Sequence, residues 1–267
     1  MENKILGSNK QEVTIKPTKW TKIQRVVFIT AGLMISAGQW ADTKELVTSA
    51  YSGFVENFTH TLQYELIDEL NVGNSMAFVI ATVGEPNVIK RSSVDPTVQY
   101  YYYNKEKFTL TLITSDERLN GYSILTRIDD FIPQVPFAED LGSKAIVETN
   151  NSEFSYSFDT GNLIYYIESQ NLGKDKMYLS LTRGYIEYAA QPITTSEMPS
   201  YRNNVHASLE SLMQQETFAG DEDNTTEAVN NVRTLVMPNY YAIADTDSKI
   251  VAESLLTRFE YAMLTKR

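Results

Sequence analysis

The chain has 267 residues, 42% of them hydrophobic, a formal charge of −11 and no cysteine. Its length and apolar content suffice for a sizeable core, which excludes general disorder, and its acidic balance argues against nucleic-acid binding, which needs clustered Lys and Arg to release counterions. The lack of Cys excludes disulfides, thiolate nucleophiles and thiolate metal sites, and His60 and His206 alone give a multi-His metal centre or a Ser-His-Asp arrangement little to draw on.

Residues 26–41 read VVFITAGLMISAGQWA, an apolar run without a charged side chain. A bilayer core of ~30 Å asks for about 20 helical residues, so the run reaches a full span by including Ile23 and Gln24 and letting Lys22 and Arg25 snorkel. Trp20 and Trp40 flank it, where interfacial aromatic rings belong. Before it, Lys4, Lys10, Lys16, Lys19, Lys22 and Arg25 outweigh Glu2 and Glu12, so the positive-inside rule keeps the N-terminus cytoplasmic. The expectation is a bacterial inner-membrane anchor with a periplasmic domain. A cleaved signal peptide, a buried helix and an interfacial helix are the competing readings.

After the anchor, Val47, Tyr51, Phe54, Phe58, Leu62 and Leu66 recur at three- or four-residue spacing and predict an amphipathic helix ending near Asn71 and Gly73. A shorter helix follows, capped by Asn74 or Ser75, with Met76, Val79, Ile80 and Val83 on one face and Gly84 and Pro86 closing it. The period then changes to two. Val98, Tyr100 and Tyr102 alternate with Gln99, Tyr101 and Tyr103, and Phe108, Leu110 and Leu112 with Thr109 and Thr111, which predicts a hairpin. Asn120-Gly121 signals a further turn, with a strand over 122–128, and the prolines at 133 and 136 break the pattern.

A second β-rich section is expected at 143–147, 154–158, 163–168, 177–182 and 185–189, with turns at 159–162 and 172–175. A helix at 206–213 leads into a polar stretch, 214–231, whose Asp221, Glu222 and Asp223 read as a solvated loop rather than a metal site. A final helix from about Asp247 places Val251, Leu255, Phe259 and Ala262 on one face. The predicted fold class is α+β: an N-terminal membrane helix, then helices packed on a mainly antiparallel sheet. The boundaries are a basic tail at 1–25, an anchor at 26–41, a helix-helix-β module at 42–137 and a β-meander with a C-terminal helix at 138–267.

The unit LNVGNSMAFVIATVGEPNVIK, followed by VQYYYY and FTLTLI, resembles the SmpA/OmlA-type envelope lipoprotein module through Gly73, Ser75, Val83, Gly84, Pro86 and Tyr100. The resemblance covers residues 71–113 and implies helices on a small antiparallel sheet and a scaffolding role in the bacterial envelope. The lipobox Cys of that family is absent here, so lipid anchoring is not carried over. The whole chain is also similar to a family of enterobacterial single-pass membrane proteins, which implies an anchor but no mechanism.

Residues with catalytic potential have duller explanations. His60 stands at helical spacing from Glu56 and Tyr64 and reads as a helix-surface histidine; His206 is no better placed. Tyr101 and Lys105 share the Tyr-x-x-x-Lys spacing of hydride-transfer enzymes, but Tyr101 falls in a strand and no glycine-rich cofactor turn accompanies it. Asp245, Asp247 and Glu253 lack the glycine and ligand spacing of a calcium loop, and a helix N-cap fits them better. No catalytic, cofactor-binding or metal residue is assigned. The leading expectation is a non-enzymatic envelope binding or scaffold protein that meets a protein partner through its sheet and its seventeen tyrosines, with homo-oligomerisation left open. The alternatives are a membrane-tethered hydrolase using distant carboxylates and a ligand-responsive sensor or defence effector.

Overall fold

The computed structural model describes residues 26–30, 60–142, 144–149, 153–188, 198–219 and 222–266. The chain divides into two units, Met1–Thr61 and Leu62–Arg267. In the first, residues 26–30 are helical with exposed side chains. The rest of the predicted span, the basic tail and most of the amphipathic stretch before His60 lie outside the described residues. Among the described residues, no helix is long and apolar enough to cross a membrane.

The second unit is α+β. Helices α1 (Thr61–Asp68) and α2 (Met76–Val83) precede a meander of β1 (Val88–Arg91), β2 (Gln99–Asn104), β3 (Phe108–Ser115) and β4 (Arg118–Thr126). A short α3 (Ile146–Thr149) leads to β5 (Ser155–Thr160), β6 (Ile164–Asn171) and β7 (Ser180–Ile186). Then come α4 (Met198–Gln214), α5 (Glu222–Leu235), β8 (Tyr240–Ala244), α6 (Ser248–Glu253) and α7 (Arg258–Thr265). The strands form one eight-stranded sheet in the order β1-β2-β3-β4-β8-β7-β6-β5, antiparallel at every pairing. Strands from the 42–137 and 138–267 segments therefore share one sheet, and β8 is the seam between them.

Alternation along the strands sorts side chains to two faces. One face carries Tyr103, Leu110, Leu112, Tyr122, Ile124, Tyr241 and Ile243 against α1 and α2, and, towards β5, Tyr166 and Tyr185 against α4 and α5. The opposite face carries Tyr100, Tyr102, Ile113, Ala242 and Ala244 against α6 and α7. The helix α2 follows its sequence pattern: Met76, Val79 and Val83 are buried, and the Ser75 hydroxyl accepts from Phe78 N as N-cap. Gly84 closes it at φ 93° and ψ −172°, a region that is essentially glycine-only. Phe131 lies between Tyr64 and Phe108, at centroid distances of 5.1 and 5.3 Å, so the proline-containing segment 128–142 is packed into the core.

Several sequence expectations are corrected. Asn120 and Gly121 lie inside β4, and the reversal between β3 and β4 falls at Asp116 and Glu117, whose φ values of 51° and 60° are those of a type I′ hairpin. Gly121 serves a close approach instead: a Cβ there would sit 2.6 Å from the Cβ of Ala244. Residues 146–149 are helical and overlap the end of the strand predicted at 143–147, and Met177 belongs to a left-handed turn ahead of β7. The polar stretch holds α5, which buries Ala228, Val229 and Val232 and places Glu222 and Asp223 in its first turn, where carboxylates favour the positive end of the helix dipole. The C-terminal helix is two helices, broken at Ser254, and Phe259 points outward. Leu62 is exposed while Ile67 and Leu70 enter the core.

Candidate functional site

Several tyrosines of the sheet belong to its core. Tyr100, Tyr102, Tyr103, Tyr166, Tyr185, Tyr240 and Tyr241 are among the most deeply buried side chains. The hydroxyls of Tyr100 and Tyr102 tie β2 to the end of α6: Tyr102 donates to Ser254 O at 2.9 Å, and Tyr100 to Glu253 Oε2 at 2.7 Å. Burial and the neighbouring acids push the Tyr100 and Tyr102 hydroxyls far above their ordinary value, so both remain neutral donors.

Two features at the edges of the unit have binding geometry. The first is a groove of about 440 Å³ between β1 and α7, lined by Val88, Ile89, Tyr102, Phe259, Met263 and Leu264 among others. The capping box of α7 orients its wall: Glu260 N donates to the Thr257 hydroxyl at 3.2 Å, and Thr257 N to the Glu260 carboxylate at 2.8 Å. That carboxylate also receives Lys90 Nζ at 2.9 Å. Partial burial raises the Glu260 pKa, but hydrogen bonds from Lys90 and Thr257 outweigh it and hold the carboxyl below its ordinary value. At the groove mouth Val88, Ile89, Phe259 and Met263 are 42, 52, 74 and 56% exposed.

The β1 strand is also a sheet edge. Ser92 N donates to Val98 O, directly opposite it in the register, at 3.0 Å. The alternation of an antiparallel ladder then turns the peptide groups of Ile89 and Arg91 outward. Beyond the strand, Glu253 at the end of α6 accepts from the Ser92 and Ser93 hydroxyls, from Ser93 N at 2.6 Å and from Tyr100. Desolvation opposes ionisation, but these donors prevail and lower its pKa to about 2. This cluster fastens the β1–β2 loop to α6.

The second feature is a polar cleft of about 730 Å³ lined by Thr160, Glu187, Arg202, Asn203, His206 and Arg258 among others. Glu187, just past β7, accepts from Arg202 Nη2 through Oε1 and forms an ion pair with Arg258 Nη2 through Oε2, the latter at 2.8 Å. A separate ion pair is buried beneath β6: Arg233 Nε donates to Glu168 Oε1 at 2.7 Å, Tyr166 donates to the same oxygen at 2.8 Å, and the guanidinium lies 4.4 Å from the Phe154 ring centre. It fastens α5 to the sheet.

The residues weighed from sequence are dispersed. His60 precedes α1, and Glu56 lies outside the described residues. His206 lines the polar cleft, its Nδ1 3.7 Å from the Glu210 carboxylate. Tyr101 donates to Gln99 Oε1 at 3.2 Å, whereas Lys105 donates to Val83 O at 3.0 Å and so supports the negative end of α2. Asp247 is the N-cap of α6, accepting from Lys249 N at 2.8 Å, while Glu253 works at the other end of that helix. Among the described residues, no group of three or more His, Asp and Glu could hold a metal ion. Sequence reasoning missed Arg202, Arg258 and Glu187, which stand on separate elements with no spacing to link them. It placed Phe259 on the buried face of its helix. Neither a family model nor a curated protein nor a solved structure matches the chain.

Proposed function

We propose that the protein is a membrane-anchored, non-enzymatic binding module of a bacterial envelope, whose β1 edge receives an extended apolar segment of a protein partner. The observation that carries the reading is the groove between β1 and α7, where four large apolar side chains stand exposed beside outward-facing backbone groups. A strand added to β1 would gain main-chain hydrogen bonds from Ile89 and Arg91 and bury alternate side chains against Phe259 and Met263. A lysine on an edge strand ordinarily blocks such pairing, but Lys90 is folded back onto Glu260. The opposite edge, β5, reads SYSFDT and lacks this apolar character. The anchor rests on the apolar run 26–41 with its basic flank and two tryptophans.

The hydrolase alternative finds less support. Glu253 is saturated with donors and held ionised, so it is not poised as an acid, and Glu187 and Glu168 are engaged by arginines.

The test is photocrosslinking of full-length protein in native membranes from a probe at Phe259. One partner should be captured through an extended segment, and Ile89→Pro, which removes an outward N–H without breaking the β1–β2 ladder, should abolish capture while the protein stays folded. Capture unaffected by Ile89→Pro refutes strand addition. Release of the full chain from membranes by alkaline washing refutes the anchor.

A further inference from the structure

We infer that the polar cleft at the end of β7 is a binding site for a phosphate group. Three elements converge there: the segment after β7 supplies Glu187, α4 supplies Arg202 and His206, and α7 supplies Arg258. Glu187 is largely buried, and its two carboxylate oxygens each take one guanidinium, while both arginines are about half exposed. Each guanidinium approaches the Glu187 carboxylate through Nη2, with about half of its side chain open to the cleft side. Arginine has five donors in a planar fork, so most of both forks remain available to the cleft.

A tether between β7 and either helix needs one arginine. Among the described lining residues the two arginines exceed Glu187 by one positive charge, in a chain with 34 acidic and 23 basic residues. The nearest acid on α4 is Glu210, paired with His206 and outside the cleft lining. Two forks with free donors call for a ligand with more acceptor oxygens than the carboxylate already between them. A phosphate group has three or four, and bidentate Arg–phosphate pairing is favoured by geometry and charge together. The side-chain amide of Asn203 in the lining can complete its coordination. The phosphate can belong to a soluble monoester or to a lipid headgroup, which present the same oxygens.

The experiment uses the full chain in phosphatidylcholine nanodiscs, titrated with inorganic phosphate and glycerol 3-phosphate at constant ionic strength against chloride. Binding should be saturable, and Arg202→Gln and Arg258→Gln should each weaken it about tenfold or more. Glu187→Gln, which removes the competing carboxylate, should strengthen it. Nanodiscs doped with phosphatidic acid identify the source: weakened glycerol 3-phosphate binding assigns a lipid headgroup, and an unchanged titration assigns a soluble ester, each supporting the site. A response to phosphate indistinguishable from chloride in both wild type and Glu187→Gln overturns the inference. So does saturable binding that survives both arginine substitutions in folded protein. Ile89→Pro should leave the titration unchanged, which keeps this test independent of the groove.

Discussion

The seam between β4 and β8 makes a sharp test of the fold, because Gly121 faces Ala244 across it. A Cβ built on Gly121 lies 2.6 Å from the Ala244 Cβ and 3.0 Å from both the Ala244 Cα and the Ile243 carbonyl oxygen. Carbon atoms in good contact stand ~3.5–4.0 Å apart, so Gly121→Ala creates an overlap of about 1 Å. Two of the three opposing atoms are backbone, in a strand hydrogen-bonded to β4 on one side and β7 on the other, so neither can swing aside like a side chain. Overpacking of this kind costs ~1–3 kcal/mol, and the strand preference for Ala over Gly returns ~0.5–1 kcal/mol. The expected net loss is about 1 kcal/mol, or roughly 2–4 °C in Tm for a unit of this size.

Ala244→Gly alone should cost about 1–2 kcal/mol, for a buried methyl lost and a glycine placed in a strand. The double variant removes the 2.6 Å contact and keeps the two at 3.0 Å. It should therefore be more stable than the sum of the singles by ~0.5–1 kcal/mol, a partial rescue. Urea denaturation of the three variants, with comparable m-values, measures this cycle. Gly121→Ala within about 0.5 kcal/mol of wild type, or strict additivity in the double variant, would refute the steric argument.

Gly84→Val should lower stability by ~1–3 kcal/mol, because its backbone lies at φ 93° and ψ −172° although no atom lies within 4 Å of the new Cβ. Thermal melting checks it; an unchanged Tm would mean the α2 exit relaxes freely, and Gly84→Ala should be nearly as damaging if conformation rather than bulk is the cause. The Glu253 carboxyl has a folded-state pKa of about 2 against an ordinary 4.5. Its contribution to stability is thus present above pH 4.5 and is lost as pH falls towards 2. Glu253→Gln should be less stable than wild type at neutral pH and should converge on it in acid, and parallel stability curves across that window would exclude the latch.

The sequence by itself determined the local elements whose causes are local. The α2 helix follows from its Ser75 cap, its apolar spacing and its Gly84 exit, and the two-residue period through 98–112 separates Tyr100 and Tyr102 from Tyr101 and Tyr103 as the structure does. The reversal between β5 and β6, which falls at 161–163 and so overlaps the turn predicted at 159–162, and the Asp247 cap are likewise written in adjacent residues. Only the tertiary structure decided how the strands join. All five residues of β8 are buried, so it has no alternation to reveal it as a strand. Asn120-Gly121 has the chemistry of a turn, yet close contact with β8 claims that glycine for a strand interior. In α5 the carboxylates dominate the composition, but Ala228, Val229 and Val232 find a sheet to cover. The exposure of Phe259 depends on where α7 crosses β1, and the meeting of Glu187, Arg202 and Arg258 depends on three elements far apart in the chain. Such features are properties of packing, and residue spacing carries no trace of them because nothing local requires those side chains to meet.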